Sequence, residues 1–288
     1  MSRFPIAACA SVVFALAAVG LAAAQAQVPI GIASPWVELH TARVRLVAGA
    51  AAAKGAKSYL AGVEITLADG WKTYWRNPGD AGVPPIFDWS GSTNVASMKV
   101  LYPAPSRLKE PGAETIGYTQ AVLFPVEVTP EDAKKPVELK LLLEFGICRE
   151  ICIPAQSTLS LAIPTEALAG EPPSAILAAL SRVPRPQAER RRDDPELGSM
   201  TASLDGPSPR LAFEVRFAGA GKGGDLFIEA PDGLYVPMPK RLPDAADGTA
   251  RFEVDLSRAG IARDFKGKTL TLTLVSDEGA SEAVRVVE

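Results

Sequence analysis

Histidine is nearly missing from this chain: His40 is the only one in 288 residues. That argues against Ser-His-Asp chemistry and excludes a histidine-rich zinc site. His40 lies in Trp36-Val-Glu-Leu-His-Thr-Ala-Arg-Val-Arg-Leu46, which alternates like a strand, and is read as a strand-surface residue. Positive charge is not in excess either. The 30 lysines and arginines face 33 acids, so no basic face is offered to nucleic acid. Beyond Val28 no apolar run is long enough to cross a bilayer, and long helical periodicity is absent. Cysteine is scarce, with only Cys9, Cys148 and Cys152.

What is present begins with the N-terminus. Arg3 is followed by an uncharged run from Phe4 to Val28 with an apolar centre and the exit triplet Ala24-Gln-Ala26. A basic start, an apolar middle and a small-x-small exit describe a cleaved export signal over 1–26. Ile6-Ala-Ala-Cys9 looks like a lipoprotein box, but it lies too near Met1 to leave an apolar region before it. Cleavage removes Cys9 and leaves Cys148 and Cys152 in a mature chain outside the cytoplasm, with no stable membrane insertion.

The mature chain reads as all-β, organised as two antiparallel β-sandwich domains. Over 27–170, short alternating runs such as Glu38–Val47, Ser58–Leu67, Ala96–Leu101, Ala121–Val128, Val137–Ile147 and Ile153–Ile163 are divided by Gly/Pro turns. Residues 171–195 predict a short helix over Ala175–Ser181 and then a polar, solvated linker. Residues 196–288 predict a second sandwich with strands at Leu211–Phe217, Leu226–Ala230, Ala250–Leu256, Thr269–Val275 and Ser281–Val287. Gly219-Ala-Gly-Lys-Gly-Gly224 matches a dinucleotide fingerprint, yet a strand rather than a helix follows it. It is therefore read as a hairpin turn.

Parity places the two mature cysteines. Before Cys148, the residues Val137, Leu139, Leu141, Leu143, Phe145 and Ile147 share one face, and Cys148 shares the other with Glu138, Lys140 and Glu144. After it, Ile151, Ile153, Ala155, Leu159 and Leu161 share one parity, and Cys152 lies with Gln156, Thr158 and Ser160. A hairpin about Arg149-Glu150-Ile151 sets 148 opposite 152 and 147 opposite 153, on a polar face, within reach of a disulfide. Such a bridge closes a five-residue loop, worth only roughly 2 kcal/mol as a staple. Arg149 favours a thiolate and Glu150 opposes it, so the sign of their joint effect stays open. Geometry alone gives an accessible disulfide suited to redox exchange, with a purely structural bridge as the alternative.

Glu144-Phe-Gly-Ile-Cys148-Arg-Glu-Ile-Cys152-Ile-Pro-Ala-Gln156 resembles the catalytic hairpin in the N-terminal periplasmic domain of the DsbD and ScsB thiol-disulfide reductases. The three-residue spacing matches the ScsB branch more closely. Gly70-Trp-Lys-Thr-Tyr-Trp-Arg-Asn-Pro-Gly-Asp-Ala-Gly82, Phe87-Asp-Trp89 and Tyr102-Pro103 fit the same branch. The resemblance implies an immunoglobulin-like sandwich in which Cys148 and Cys152 are catalytic and no cofactor or metal is needed. It implies a thioredoxin-like or membrane electron-transfer protein as donor, and oxidised periplasmic proteins as acceptors. DsbD and ScsB continue into a membrane domain and a thioredoxin-like domain, and this sequence contains neither, so a separately encoded donor is expected. Trp71, Tyr74 and Trp75 are candidate shielding aromatics, with partial burial in the core as the alternative. Two other functions stand beside the redox reading. One is Cu(I) binding by the reduced pair, although Met98, Met200 and Met238 are scattered. The other is a non-catalytic interaction module with a structural disulfide.

Overall fold

The computed structural model describes residues 33–51, 58–110, 112–165, 171–219, 223–257 and 261–288. The export signal, its cleavage after Ala26 and Cys9 lie outside the described residues. The first half holds β1 (Val37–Glu38), β2 (Ala42–Ala51), β3 (Tyr59–Leu67), β4 (Lys72–Gly79), β5 (Ile86–Asp88) and β6 (Ser97–Val100). It continues with β7 (Ser106–Glu110), β8 (Ala113–Thr119), β9 (Ala121–Thr129), β10 (Val137–Cys148) and β11 (Cys152–Ile163). Helix α1 (Ser174–Ser181) follows, then β12 (Arg185–Pro186), β13 (Glu196–Ser203), β14 (Arg210–Arg216), β15 (Asp225–Glu229) and β16 (Lys240–Leu242). The last strands are β17 (Ala250–Asp255), β18 (Thr269–Val275) and β19 (Ala280–Val286).

Among the described residues these strands form four sheets. One orders β1-β2-β3-β9-β6, and a second orders β11-β10-β4-β8-β7 with β5 also paired to β10. Their apolar faces close on one core, in which Val44, Leu46, Val63, Ile65, Phe124 and Val126 meet Leu139, Leu141, Leu143, Phe145 and Leu161. Each fully buried large side chain contributes about 1.5–3 kcal/mol. Phe87, Tyr102 and Tyr118 stand edge-on around Phe124, and Tyr102 and Tyr118 are each 5.4 Å from it. The other two sheets, β12-β19-β18-β15 and β13-β14-β17-β16, close on a second core with Phe213, Phe252, Phe265 and Leu272 at its centre. This is the all-β, antiparallel sandwich architecture the alternation predicts, of the immunoglobulin-like kind the resemblance implies.

Several local expectations change. The strand expected over Glu38–Val47 is two strands. The chain turns back at Leu39–Thr41, where the Leu39 N–H donates to the Ala42 carbonyl at 2.7 Å, and His40 is exposed in that bend. The Gly219–Gly224 segment is not a hairpin turn. β14 pairs with β13 and β17, whereas β15 pairs with β18, so the chain crosses from one sheet to the other. Residues 220–222 within it lie outside the described residues. The polar connector is not simply solvated. β12 pairs in parallel with β19, and Arg185 binds the buried carboxylate of Asp194 at 3.0 Å. A buried acid needs such a partner. Helix α1 packs Ile176 against Val47 and Leu60 on the outside of the first sheet. Gly49 leaves room for both neighbours, since a Cβ there would lie 3.2 Å from Ile176 Cδ1 and 2.1 Å from the Leu60 carbonyl oxygen of β3.

The two β units are joined by packing as well as by the chain. Phe227 of β15 is buried in the first core, 6.0 Å from Trp75. Arg76 lies over the Trp75 ring and binds Glu229 and Glu282, both at 2.7 Å. Burial works against the charge of Arg76, and the bonds to Glu229 and Glu282 outweigh it, so its pKa is pushed up. Arg107 joins Glu114 on its own sheet to Asp225 of β15, at 2.8 and 2.7 Å.

Candidate functional site

β10 and β11 form a long antiparallel hairpin in the register that opposes Val137 to Ile163, Ile147 to Ile153 and Cys148 to Cys152. The cysteines are bonded, with Cα atoms 4.1 Å apart. Alternation constrains this pairing, because a one-residue slip would take Leu139, Leu141, Leu143 and Phe145 off the face they share with Leu161, Leu159 and Ala155.

The two sulfurs differ in exposure. Cys152 is exposed, whereas Cys148 is only 1% exposed. That corrects the expectation of two cysteines on an open polar face. Parity identifies the face, but the Tyr74 ring of the neighbouring strand β4 and Val83 of the chain after it lie over that face at this end. Cys148 pairs with Lys72 of β4. At Gly146, two residues earlier, a Cβ would meet Val83 at 3.0 Å and the Tyr74 ring at 3.3 Å. The Thr73 hydroxyl donates to the Gly146 carbonyl at 2.9 Å, which fastens β4 to the hairpin.

The three candidate aromatics part company. Tyr74 is buried, and its hydroxyl lies 3.2 Å from Cys152 Sγ. In the disulfide only the hydroxyl carries a hydrogen, so Tyr74 is the donor. Trp71 lies beneath the Arg149 guanidinium, 5.7 Å from ring centre to cation, and so holds the cation beside the hairpin turn. Trp75 points into the sandwich core against Phe227 and is not part of the disulfide's surroundings. Successive residues on a strand face opposite ways, which separates Tyr74 from Trp75.

Sequence reasoning missed the segment between β4 and β5. Gly82, at φ +125°, lies against Tyr74 so closely that a Cβ would fall 2.5 Å from a ring carbon. The available signal was the two glycines of the Asn77–Gly82 stretch, Gly79 and Gly82, which can take the positive φ they show here. It also missed that Ile151, whose parity is apolar, is 68% exposed at the hairpin tip. Val83 and Ile86 nearby are 44% and 56% exposed. Met98 and Met238 pack against the first core and Met200 against the second. Among the described residues no group of three or more His, Cys, Asp or Glu is arranged to hold a metal.

The site is thus an immunoglobulin-like sandwich carrying a cross-strand disulfide with one sulfur buried and one exposed. Residues 43–164 match the family model described as thiol:disulfide interchange protein DsbD, N-terminal. The chain thus carries a DsbD/ScsB-like N-terminal domain. The crystal structure of the N-terminal periplasmic domain of ScsB from Proteus mirabilis is similar to it across both β units. The TM-score is 0.68 at 24% identity, covering 89% of this chain and 98% of that one. No curated protein sequence matches the chain. No helix among the described residues is long and apolar enough to cross a membrane.

Proposed function

We propose that this chain is an exported, periplasmic thiol-disulfide interchange protein that relays electron pairs through Cys148 and Cys152. The observation that carries the reading is the unequal exposure of the two sulfurs on a DsbD-type hairpin. A donor thiolate attacks the exposed Cys152 Sγ, the S–S bond breaks, and Cys148 leaves as a thiolate and takes up a proton. The donor's second thiol displaces Cys152 and carries off the new disulfide, so two electrons remain on the pair. Cys152 then attacks the disulfide of an oxidised acceptor, and Cys148 resolves the mixed disulfide, releasing the reduced acceptor. The donor is a thioredoxin-like or membrane electron-transfer protein, and the acceptors are oxidised periplasmic proteins. In this reading the redox unit spans 27–170, residues 171–195 connect, and 196–288 form the second unit.

Incubating the oxidised protein with a reduced thioredoxin-like protein tests the proposal. Stoichiometric appearance of two free thiols supports it, and a pair that no such donor reduces overturns it. Ile151, Val83 and Ile86 supply an apolar rim for the partner. Ile151→Glu is expected to slow exchange with a protein donor by about tenfold, the effect of losing one good interface contact. Its reduction by dithiothreitol should keep the wild-type rate. Equal slowing with both reagents would show that the residue acts on the disulfide and not on docking.

The Tyr74 hydroxyl beside Cys152 gives a second expectation. Once the pair is reduced, that donor stabilises the Cys152 thiolate. Tyr74→Phe keeps the ring over Gly146 and removes the donor. Alkylation of reduced Cys152 at neutral pH should then slow by about fivefold or more, the worth of one hydrogen bond to a charged group. An unchanged rate would limit Tyr74 to covering the bond.

A further inference from the structure

The chain between β4 and β5 touches the redox site at one end and the second β unit at the other. Gly82 presses on the Tyr74 ring, Val83 abuts Gly146, and Tyr74 reaches Cys152. Five residues before Gly82, the Asn77 amide donates to the Ile228 carbonyl of β15 at 3.1 Å. Two residues before Gly82, Asp80 Oδ1 accepts a 2.7 Å hydrogen bond from the Tyr235 hydroxyl, and the Asp80 N–H donates to the Glu114 carbonyl. Tyr235 follows the turn Pro231–Gly233 and is 51% exposed, so its ring gains little from burial. Its specific contact with the first unit is this bond. Desolvation of the hydroxyl, and then the bond to Asp80, push its pKa up to about 12, so it remains a donor throughout the neutral range.

We propose that Tyr235 is a positioning residue of the redox site: through Asp80 it fixes the segment that lies on Tyr74, and so limits how readily a thiol reaches Cys152. The second β unit is then a brace on the approach to the disulfide and not only a spacer. The chain Tyr235–Asp80–Gly82–Tyr74–Cys152 is continuous in contacts and short, and it requires no movement of either core. The inference rests on the reading of Cys148–Cys152 as an exchanging pair. It is tested with a small thiol, so failure of a protein donor to reduce the pair would leave this measurement meaningful.

The experiment follows reduction of the oxidised full-length protein by dithiothreitol, trapping free thiols with a maleimide over time. Tyr235→Phe keeps the ring and removes the hydroxyl, and Asp80→Ala removes the acceptor. Both are expected to be reduced about three- to tenfold faster than wild type, the factor that losing one hydrogen bond allows. Their thermal midpoints should fall by no more than about 2–4 °C, the shift that losing about 1 kcal/mol produces in a chain of this size. Lys268→Met breaks the exposed Lys268–Asp232 pair at the same turn and should leave the rate unchanged. Wild-type rates in Tyr235→Phe and Asp80→Ala overturn the proposal. So does an acceleration by Lys268→Met as large as theirs, because the effect would then be general loosening of the second unit.

Discussion

Cys148→Ala should convert the protein from a relay into a trap. Reduced Cys152 in that variant still attacks an acceptor disulfide, but the thiol that resolves the mixed disulfide is gone. A covalent adduct with the acceptor is expected to accumulate to near stoichiometry on a non-reducing gel. Turnover should fall by on the order of a hundredfold or more, because resolution then depends on thiols from solution. Cys152→Ala should lose turnover equally and form no adduct. The asymmetry follows from exposure: Cys152 is at the surface, while Cys148 is buried beside β4, with which it pairs at Lys72. Adduct formation only through Cys148 would reverse the assignment. Neither replacement should unfold the domain, since a five-residue loop contributes only about 2 kcal/mol by the chain-entropy estimate.

Phe227→Ala is expected to give the largest change in stability. Its ring comes from the second unit yet is buried in the first core beside Trp75. Truncating a buried Phe costs about 3–5 kcal/mol. The loss falls at the joint between the units, where Arg76 meets Glu229 and Glu282, and Arg107 meets Asp225. Calorimetry should resolve two unfolding transitions in the variant where the wild type shows one. A single transition displaced by less than about 1 kcal/mol would mean that Phe227 adds little to the joint. Reduction by dithiothreitol should also quicken in this variant, because Asn77 and Asp80 are held by the unit that Phe227 anchors.

The hairpin was legible in the sequence because both flanks carry a period of two over many residues. A one-residue slip would expose Leu139, Leu141, Leu143 and Phe145, and the register that avoids it opposes Cys148 to Cys152. What parity does not show is the layer laid over a face. Cys148 was expected on an open polar side, and it is buried where the Tyr74 ring and Val83 lie over that side near the turn. β4 itself was not recognised as a strand. Its Trp75 and Tyr74 face opposite ways, and Asn77-Pro-Gly79 reads locally as a turn. The three aromatics separate for the same reason, with Trp75 taking the core alternative and Tyr74 lying at Cys152: position in a short motif does not give direction. The crossing from β14 to β15 was unreadable because a glycine-rich link of that length serves a hairpin or a change of sheet equally well. The contacts of Phe227, Tyr235 and Arg76 join residues more than 150 positions apart, which no local pattern encodes.

The central claim is that Cys148–Cys152 is an exchanging bond rather than a staple, and the measurement that reaches it most directly is its reduction potential. Equilibrating the protein against glutathione or dithiothreitol buffers, with thiol trapping, gives the value without any partner. The expected potential lies among those of exchange proteins, about −270 to −120 mV. A potential below about −300 mV, where structural disulfides resist reduction, would contradict it.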